Sequence, residues 1–330
     1  MKYTIAVVLL FFLFGCDQTT DDSSHKTTST SKDVGEMVIS PVFRFASEFK
    51  EGLASVADNI TGNYGFINSR GEWAINPTFA VANSFSEGLA SFSNYLTDTP
   101  MTYGYINAKG EIEIEPIYSF AGQFSNGMAR VQIGADGKWG FIDRNGVFKI
   151  PPIYDFAQDL TEDLAAVQYG RLGNDRFGFI DKEGKVVISP EFNFAKPFSD
   201  GLSLVTLGNR LHGYIDKTGN MVIAPIYSYA TSFVDGFAQV IDPISQRLVY
   251  INQQGKVVSF SFSYQRGNTQ KLSTFQVGNG EKTLWGFIDA DSKIVINPQY
   301  KTAFPFSEGL AAVQLIDTPT GRGLFGFIKQ

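Results

Sequence analysis

Acidic side chains recur at one register of this chain. Glu51, Glu87, Asp200, Asp235 and Glu308 each stand directly before a glycine, and Glu162 aligns with them ahead of Asp163. Two carboxylates held roughly 5–10 Å apart are all that glycoside hydrolysis needs. Arrayed around one face, the same groups would recognise a basic or cationic partner, and salt would weaken that capture. A plainer role competes with both: a polar turn ahead of a glycine with positive φ, as at Gly88 or Gly201. That role is the weightier expectation, and it also covers Asp143, Asp181, Asp216 and Asp289 at the hairpin turns.

Other chemistries lack material. The chain has two histidines and one cysteine. A serine–histidine–acid triad would have to be built on His212, because His25 lies in a polar leader segment. A zinc site needs three or four nitrogen or sulfur ligands close together, so no metal and no cofactor is expected. With 27 basic against 33 acidic side chains, nothing forms a basic stripe, which excludes nucleic acid as a partner. The 30 Phe and 14 Tyr recur at repeat positions and point to packing before ligand stacking.

The elements that position the carboxylates come from a repeat. Its form is aromatic-Gly-Phe-Ile-Asp-x-x-Gly-x-x-x-Ile-x-Pro-x-Tyr-x-x-Ala-x-x-Phe-Ser-Glu-Gly-Leu-Ala-x-Val. The second position falls at Gly65, Gly104, Gly140, Gly178, Gly213, Val249, Gly286 and Gly326, spaced 35 to 40 residues apart. A fixed period in that range marks a solenoid or a propeller. Each unit reads as β: Leu53-Ala-Ser-Val-Ala, Tyr64-Gly-Phe-Ile-Asn and Glu72-Trp-Ala-Ile-Asn make a three-stranded antiparallel meander around a tight hairpin. The last strand is expected to stop at a proline such as Pro77, which cannot donate to a ladder. Runs such as Val186-Val187-Ile188 suggest strands buried on both faces.

Seven meanders are continuous: 53–77, 89–116, 128–151, 164–190, 202–225, 237–260 and 272–298. An eighth has Leu310-Ala-Ala-Val-Gln and Phe325-Gly-Phe-Ile-Lys but no third strand before Gln330. Met37-Val-Ile-Ser-Pro carries the register of that strand, since residues 35–41 nearly repeat residues 184–190. The expected fold is therefore all-β. It is an eight-unit, β-propeller-like closed ring of three-stranded meanders, with the N-terminal strand completing the last unit. The alternative is an open superhelical β-repeat array, which would call for polar capping units.

One unit departs from the pattern. Between 248 and 284, Val249 replaces the glycine, Phe260 the proline, and Gly267-Asn-Thr-Gln-Lys the Phe-Ser-Glu-Gly block. Neutral drift accounts for such a change; a specific contact through Tyr264, Arg266 and Lys271 is the functional alternative. Loops 94–102 and 317–323 are further contact candidates, since loops on rigid scaffolds carry function.

The motifs Trp139-Gly140-Phe141-Ile142-Asp143 and Trp285-Gly286-Phe287-Ile288-Asp289, each with a proline-tyrosine segment and Phe-Ser-x-Gly-Leu-Ala elsewhere in the period, resemble the bacterial WG-repeat proteins across residues 36–330. The resemblance implies a β-rich repeat protein, often on secreted or membrane-linked chains, and brings no catalytic residues. The Trp slot holds Tyr64, Tyr103, Phe177, His212, Leu248 and Phe325 elsewhere, so bulk is required there, not an indole.

Residues 1–15 read as a lipoprotein signal peptide: Lys2, an apolar run from Ile5 to Phe14, then Leu13-Phe14-Gly15 before Cys16. That ending resembles the bacterial lipobox, with Cys16 as the lipid attachment. Several acyl chains, at about 0.8 kcal/mol per buried methylene, would hold the protein at a bilayer. Residues 16–35 form a Ser/Thr/Asp-rich tether, and 36–330 the repeat domain. The expected function is a non-enzymatic cell-envelope scaffold, exported to the periplasmic or surface side and anchored by lipid. It would bind a protein, peptide or glycan through its loops. The alternative is a carboxylate-dependent hydrolase or lyase acting on envelope polysaccharide.

Overall fold

The computed structural model describes residues 34–94, 101–134, 137–169, 176–208, 210–234, 236–258, 272–277, 283–289, 293–316 and 323–330. Among them the regular structure is all strand. Unit three shows the plan: strands Phe120–Ala121, Met128–Gln132, Trp139–Asp143 and Phe148–Tyr154 form one antiparallel sheet. Units two, four and five repeat it. Units two to five therefore have four strands each, one more than the three-stranded meander read from the sequence, whereas the described strands of units six and seven form sheets of three. The extra one is only two residues long, which leaves no readable pattern in a connector such as Tyr118-Ser-Phe-Ala.

In units one to five the second and third strands are mostly buried, as in Leu89–Ser93 and Trp139–Asp143. The fourth strand differs on two counts from expectation. It runs through the proline, as in Trp73–Phe79 and Ile112–Tyr118, because it is an edge strand whose pairing shifts register ahead of the proline. It is also more exposed than expected: Val186 and Val187 are 45% and 42% exposed while Ile188 is buried.

The glycine after the Trp slot is required by this edge. A Cβ at Gly140 would lie 2.6 Å from the Ile150 carbonyl oxygen and 2.8 Å from the Pro152 nitrogen. Only a residue without a side chain lets the bulged fourth strand approach that closely.

The N-terminal strand Met37–Ala46 serves two units. Its residues 37–43 pair antiparallel with Phe325–Lys329, as Met37↔Ile328, Ile39↔Phe327 and Phe43↔Phe325. Its end pairs with Ala54–Asp58, through Phe45↔Ala57 and Ala46↔Val56. One sheet of seven strands thus contains the first and last strands of the chain, which bears out the expected completion of the last unit. The Lys329 ammonium reaches the Glu36 carboxylate at 2.7 Å beside this junction.

Successive units pack through a repeated seam. The hairpin glycine of one unit sits on the isoleucine of the preceding fourth strand: Gly71 on Ile39, Gly110 on Ile75, Gly146 on Ile114, Gly184 on Ile150, Gly219 on Ile188 and Gly255 on Ile223. Gly35 sits on Ile296 in the same way, joining the eighth unit to the seventh. A third-strand ring meets the connector phenylalanine of the next unit: Phe66–Phe85 at 4.7 Å, Tyr105–Phe124 at 4.9 Å, Phe179–Phe198 at 4.9 Å and Tyr214–Phe233 at 4.8 Å. Phe287–Phe306 at 4.8 Å and Phe327–Phe49 at 5.0 Å carry it through the last unit to the first. Each such pair adds about 0.5–1.5 kcal/mol beyond its buried area.

Candidate functional site: the seam carboxylates

The recurrent acids sit in a turn that the sequence specifies tightly. In Ser86-Glu87-Gly88-Leu89 the Ser86 and Leu89 amides each donate to the other residue's carbonyl, at 2.9 and 3.2 Å. Both central residues have positive φ, 54° at Glu87 and 79° at Gly88. That is the backbone of a type I′ turn, which favours Asn-Gly and Asp-Gly. Glu51, Asn126, Glu162, Asp200 and Glu308 share the left-handed conformation, with φ between 50° and 55°. The expectation placed the positive φ on the glycine; the acid before it shares it.

What holds a glutamate in this unfavourable region is its carboxylate. Glu87 accepts from the Gly127 amide at 2.9 Å, Glu51 from Gly88 at 2.9 Å and Asp200 from Gly236 at 2.7 Å. Glu162 accepts from Gly201 with both oxygens, at 3.2 and 3.1 Å. Glu308 accepts from Gly52 at 3.0 Å, carrying the pattern from the last unit to the first. Every one of these bonds crosses a seam into the next unit. The neighbouring hydroxyl reinforces it by donating to the next connector's carbonyl: Ser86 to Phe124 at 2.7 Å, Thr161 to Phe198 at 2.8 Å, Ser199 to Phe233 at 2.6 Å and Ser307 to Phe49 at 2.6 Å. A type I′ turn aims its amides outward from the hairpin, so the next unit's turn offers a donor where this carboxylate arrives.

Asn126 takes the slot in unit three, and a different device spans the following seam. Arg130 reaches Asp159 at 2.6 Å and donates to the Ala157 carbonyl at 2.8 Å. Its guanidinium lies over the Phe120 and Trp139 rings, 4.9 and 5.3 Å from their centroids. Sequence reasoning missed this cluster. The available signal was an arginine in a second strand whose counterparts are Ser55, Ser91, Ala166 and Leu204.

His212 fills its aromatic slot as expected, with Nδ1 2.8 Å from the Thr206 hydroxyl. Burial first, and then the Lys196 charge, hold its pKa below the usual histidine value. At the hairpins, Asp143 accepts from the Asn145 and Val147 amides at 2.9 and 3.0 Å. The Val147 bond is the main reason its carboxyl titrates below the ordinary aspartate range. Asp216 is lowered in the same way, first by the Thr218 hydroxyl.

Asp235, Tyr264, Arg266, Lys271 and Cys16 lie outside the described residues, as does most of loops 94–102 and 317–323. Glu51, Glu87, Asp200 and Glu308 therefore come together as members of one seam pattern, each in a different unit and each engaged with a backbone amide. Their oxygens stabilise neighbouring turns, while the outward side of each carboxylate still presents negative charge to solvent. Among the described residues no group of three or more His, Cys, Asp or Glu could hold a metal ion.

Known structures with related architecture include BamB from Moraxella catarrhalis, at 11% identity and TM-score 0.43 over 87% of this chain and 96% of that one. The β-propeller domain of the Trilobed protease from Pyrococcus furiosus aligns at 9% identity and TM-score 0.45, covering 87% and 95%. AztD from Citrobacter koseri aligns at 13% identity and TM-score 0.40, covering 65% and 70%. The chain's own strands make it an all-β repeat of many small antiparallel sheets. No curated protein matches the sequence. The model of the WG containing repeat matches residues 33–59, 64–94, 103–139, 139–172, 177–210, 213–241 and 285–315, more than half of the chain. With its Gly-Phe-Ile strands, bulged edges and seam turns repeated through that span, the chain belongs to the WG containing repeat family.

Proposed function

We propose that the eight units close into a ring through the Met37–Ala46 strand. On this reading the ring is a non-enzymatic scaffold of the bacterial cell envelope, tethered by lipid at Cys16. It binds a protein, peptide or glycan through the loops between second and third strands. The observation that carries the scaffold reading is the use made of the recurrent acids: each described one is held on a backbone amide of the next unit. Side chains spent on holding units together leave recognition to the segments that vary. The loop at 58–63 is built on Asp58, which caps the Ile60 and Thr61 amides at 3.1 and 2.7 Å, whereas the loop at 133–138 is built on Gln132 and Ser119. Such differences on a common frame give each unit its own contact surface.

Loop exchange tests the reading. Replacing 94–102, or separately 317–323, by the short 58–63 sequence should abolish capture of a partner from intact envelopes while the far-ultraviolet spectrum stays unchanged. Capture that survives every loop exchange but disappears with Glu87→Gln would instead assign recognition to the acids. Cell-wall glycans should not be turned over by the wild-type protein. Cys16→Ser should move the protein from the membrane fraction to the soluble one.

A further inference from the structure

We infer that the outer edge of unit five, Met221–Tyr227, is a docking strand for an extended, uncharged segment of a partner protein, which adds to the sheet there as a further strand. Seven fourth strands are described over their full length, and each leaves its first, second, fourth and sixth side chains wholly or partly exposed. In six of them at least one of those positions is polar or charged: Ser40, Asn76, Glu115, Lys149, Glu191 and Asn297. In unit five all four are apolar. Met221 is 39%, Val222 44% and Ile226 46% exposed, and Ala224 is exposed between them, while Ile223 and Tyr227 are buried.

Free sheet edges are a liability that proteins guard with charged side chains. Unit five goes unguarded: no Asp, Glu, Lys, Arg or His occurs from Thr218 to Val234. Its sheet runs Phe194–Ala195, Ser203–Thr206, His212–Ile215, Met221–Tyr227, so no described strand pairs with the far side of the last one. Candidate occupants differ in what they satisfy. Lipid chains would cover the apolar side chains but leave the edge N–H and C=O groups without partners. A second copy paired edge to edge gains a ladder of only Met221 to Ala224, because Pro225 has no N–H to give. Such a ladder falls short of the roughly 1,200 Å² that a stable pair buries. An extended partner segment satisfies the edge by main-chain hydrogen bonds and packs its own apolar side chains on Val222, Ala224 and Ile226. Charge on that segment would lose hydration at this edge and find no counter-ion. The site is separate in sequence from the loops that the scaffold reading uses, and it goes beyond that reading.

Amide hydrogen exchange followed by mass spectrometry, on the full chain carrying Cys16→Ser, tests this with the synthetic peptide Lys-Thr-Val-Thr-Val-Thr-Lys at millimolar concentration. Its two lysines lie outside the ladder and keep it soluble. Exchange at 220–227 should slow severalfold, with 111–117 in unit two unchanged. The same peptide with proline in place of its central threonine cannot complete the ladder and should have no effect. Ala224→Lys should abolish the slowing at an unaltered melting temperature, and Met221→Lys serves in its place if that variant does not fold. No slowing, equal slowing at 111–117, an equal effect of the proline peptide, or slowing that survives the lysine substitution would each overturn the inference. So would slowing without peptide as protein concentration rises, which assigns the edge to a second copy. Slowing by vesicles of phosphatidylethanolamine and phosphatidylglycerol would assign it to lipid and overturn it equally. Loop exchanges at 94–102 and 317–323 should leave the peptide's effect intact, so failure of the scaffold reading and failure of this one are told apart.

Discussion

At single positions, the geometry of the seam turn sets the costs. Asp163 occupies the slot held by glycine in every other described turn, at φ 70°, directly after Glu162 at 50°. A left-handed residue with a side chain costs roughly 1–2 kcal/mol. Asp163→Gly should therefore raise stability by about 1 kcal/mol, read as a higher urea midpoint with an unchanged slope. His212 gives a pH signature. Its folded pKa lies below the unfolded value of about 6.5, so the native state binds fewer protons. Stability should be constant above that value, decline as pH falls beneath it, and level off below the folded pKa. His212→Phe should remove this part of the slope. Asp143 and Asp216 act in a lower window: their stabilisation is present above the unfolded carboxylate value and is lost as pH falls through the depressed folded values. The acidic slots were legible in the sequence, but their partners were not. The donating amides lie 36 to 40 residues away within the chain, and 256 away for Glu308, so no local pattern announces them.

Strands two and three of each unit were legible because Gly-Phe-Ile and Leu-Ala-x-Val repeat with little change. The first strand was not, since two residues such as Val81–Ala82 carry no periodicity. The fourth was misjudged at its end: Pro77 reads as a stop, yet an edge strand tolerates a residue with no donor. Seam bonds belong to this scale. Glu87→Ala should cost on the order of 1 kcal/mol, because the charge-assisted bond to Gly127 sits at a half-exposed turn. Glu87→Gln should retain most of it, and denaturant melts at neutral pH can rank the three proteins. Gly140→Ala should cost more, about 2–3 kcal/mol, since the new methyl group meets the backbone at Ile150 and Pro152 and cannot relax into space.

For the molecule as a whole, the repeat period and the matching ends predicted the pairing of first and last strands, and that pairing is present. The irregularity at 248–284 was visible as a break in motif. The central claim is that residues 36–43 complete the last unit within the same chain, which the pair Glu36 and Lys329 tests most directly. The Lys329 amide donates to the Glu36 carbonyl at 3.0 Å, and residues so paired lie within the reach of a disulfide. In a chain carrying Cys16→Ser, Glu36→Cys and Lys329→Cys, mild oxidation should give an intramolecular crosslink in nearly every monomer and raise the melting temperature. Two free thiols after oxidation, or crosslinks only between chains, would contradict the account.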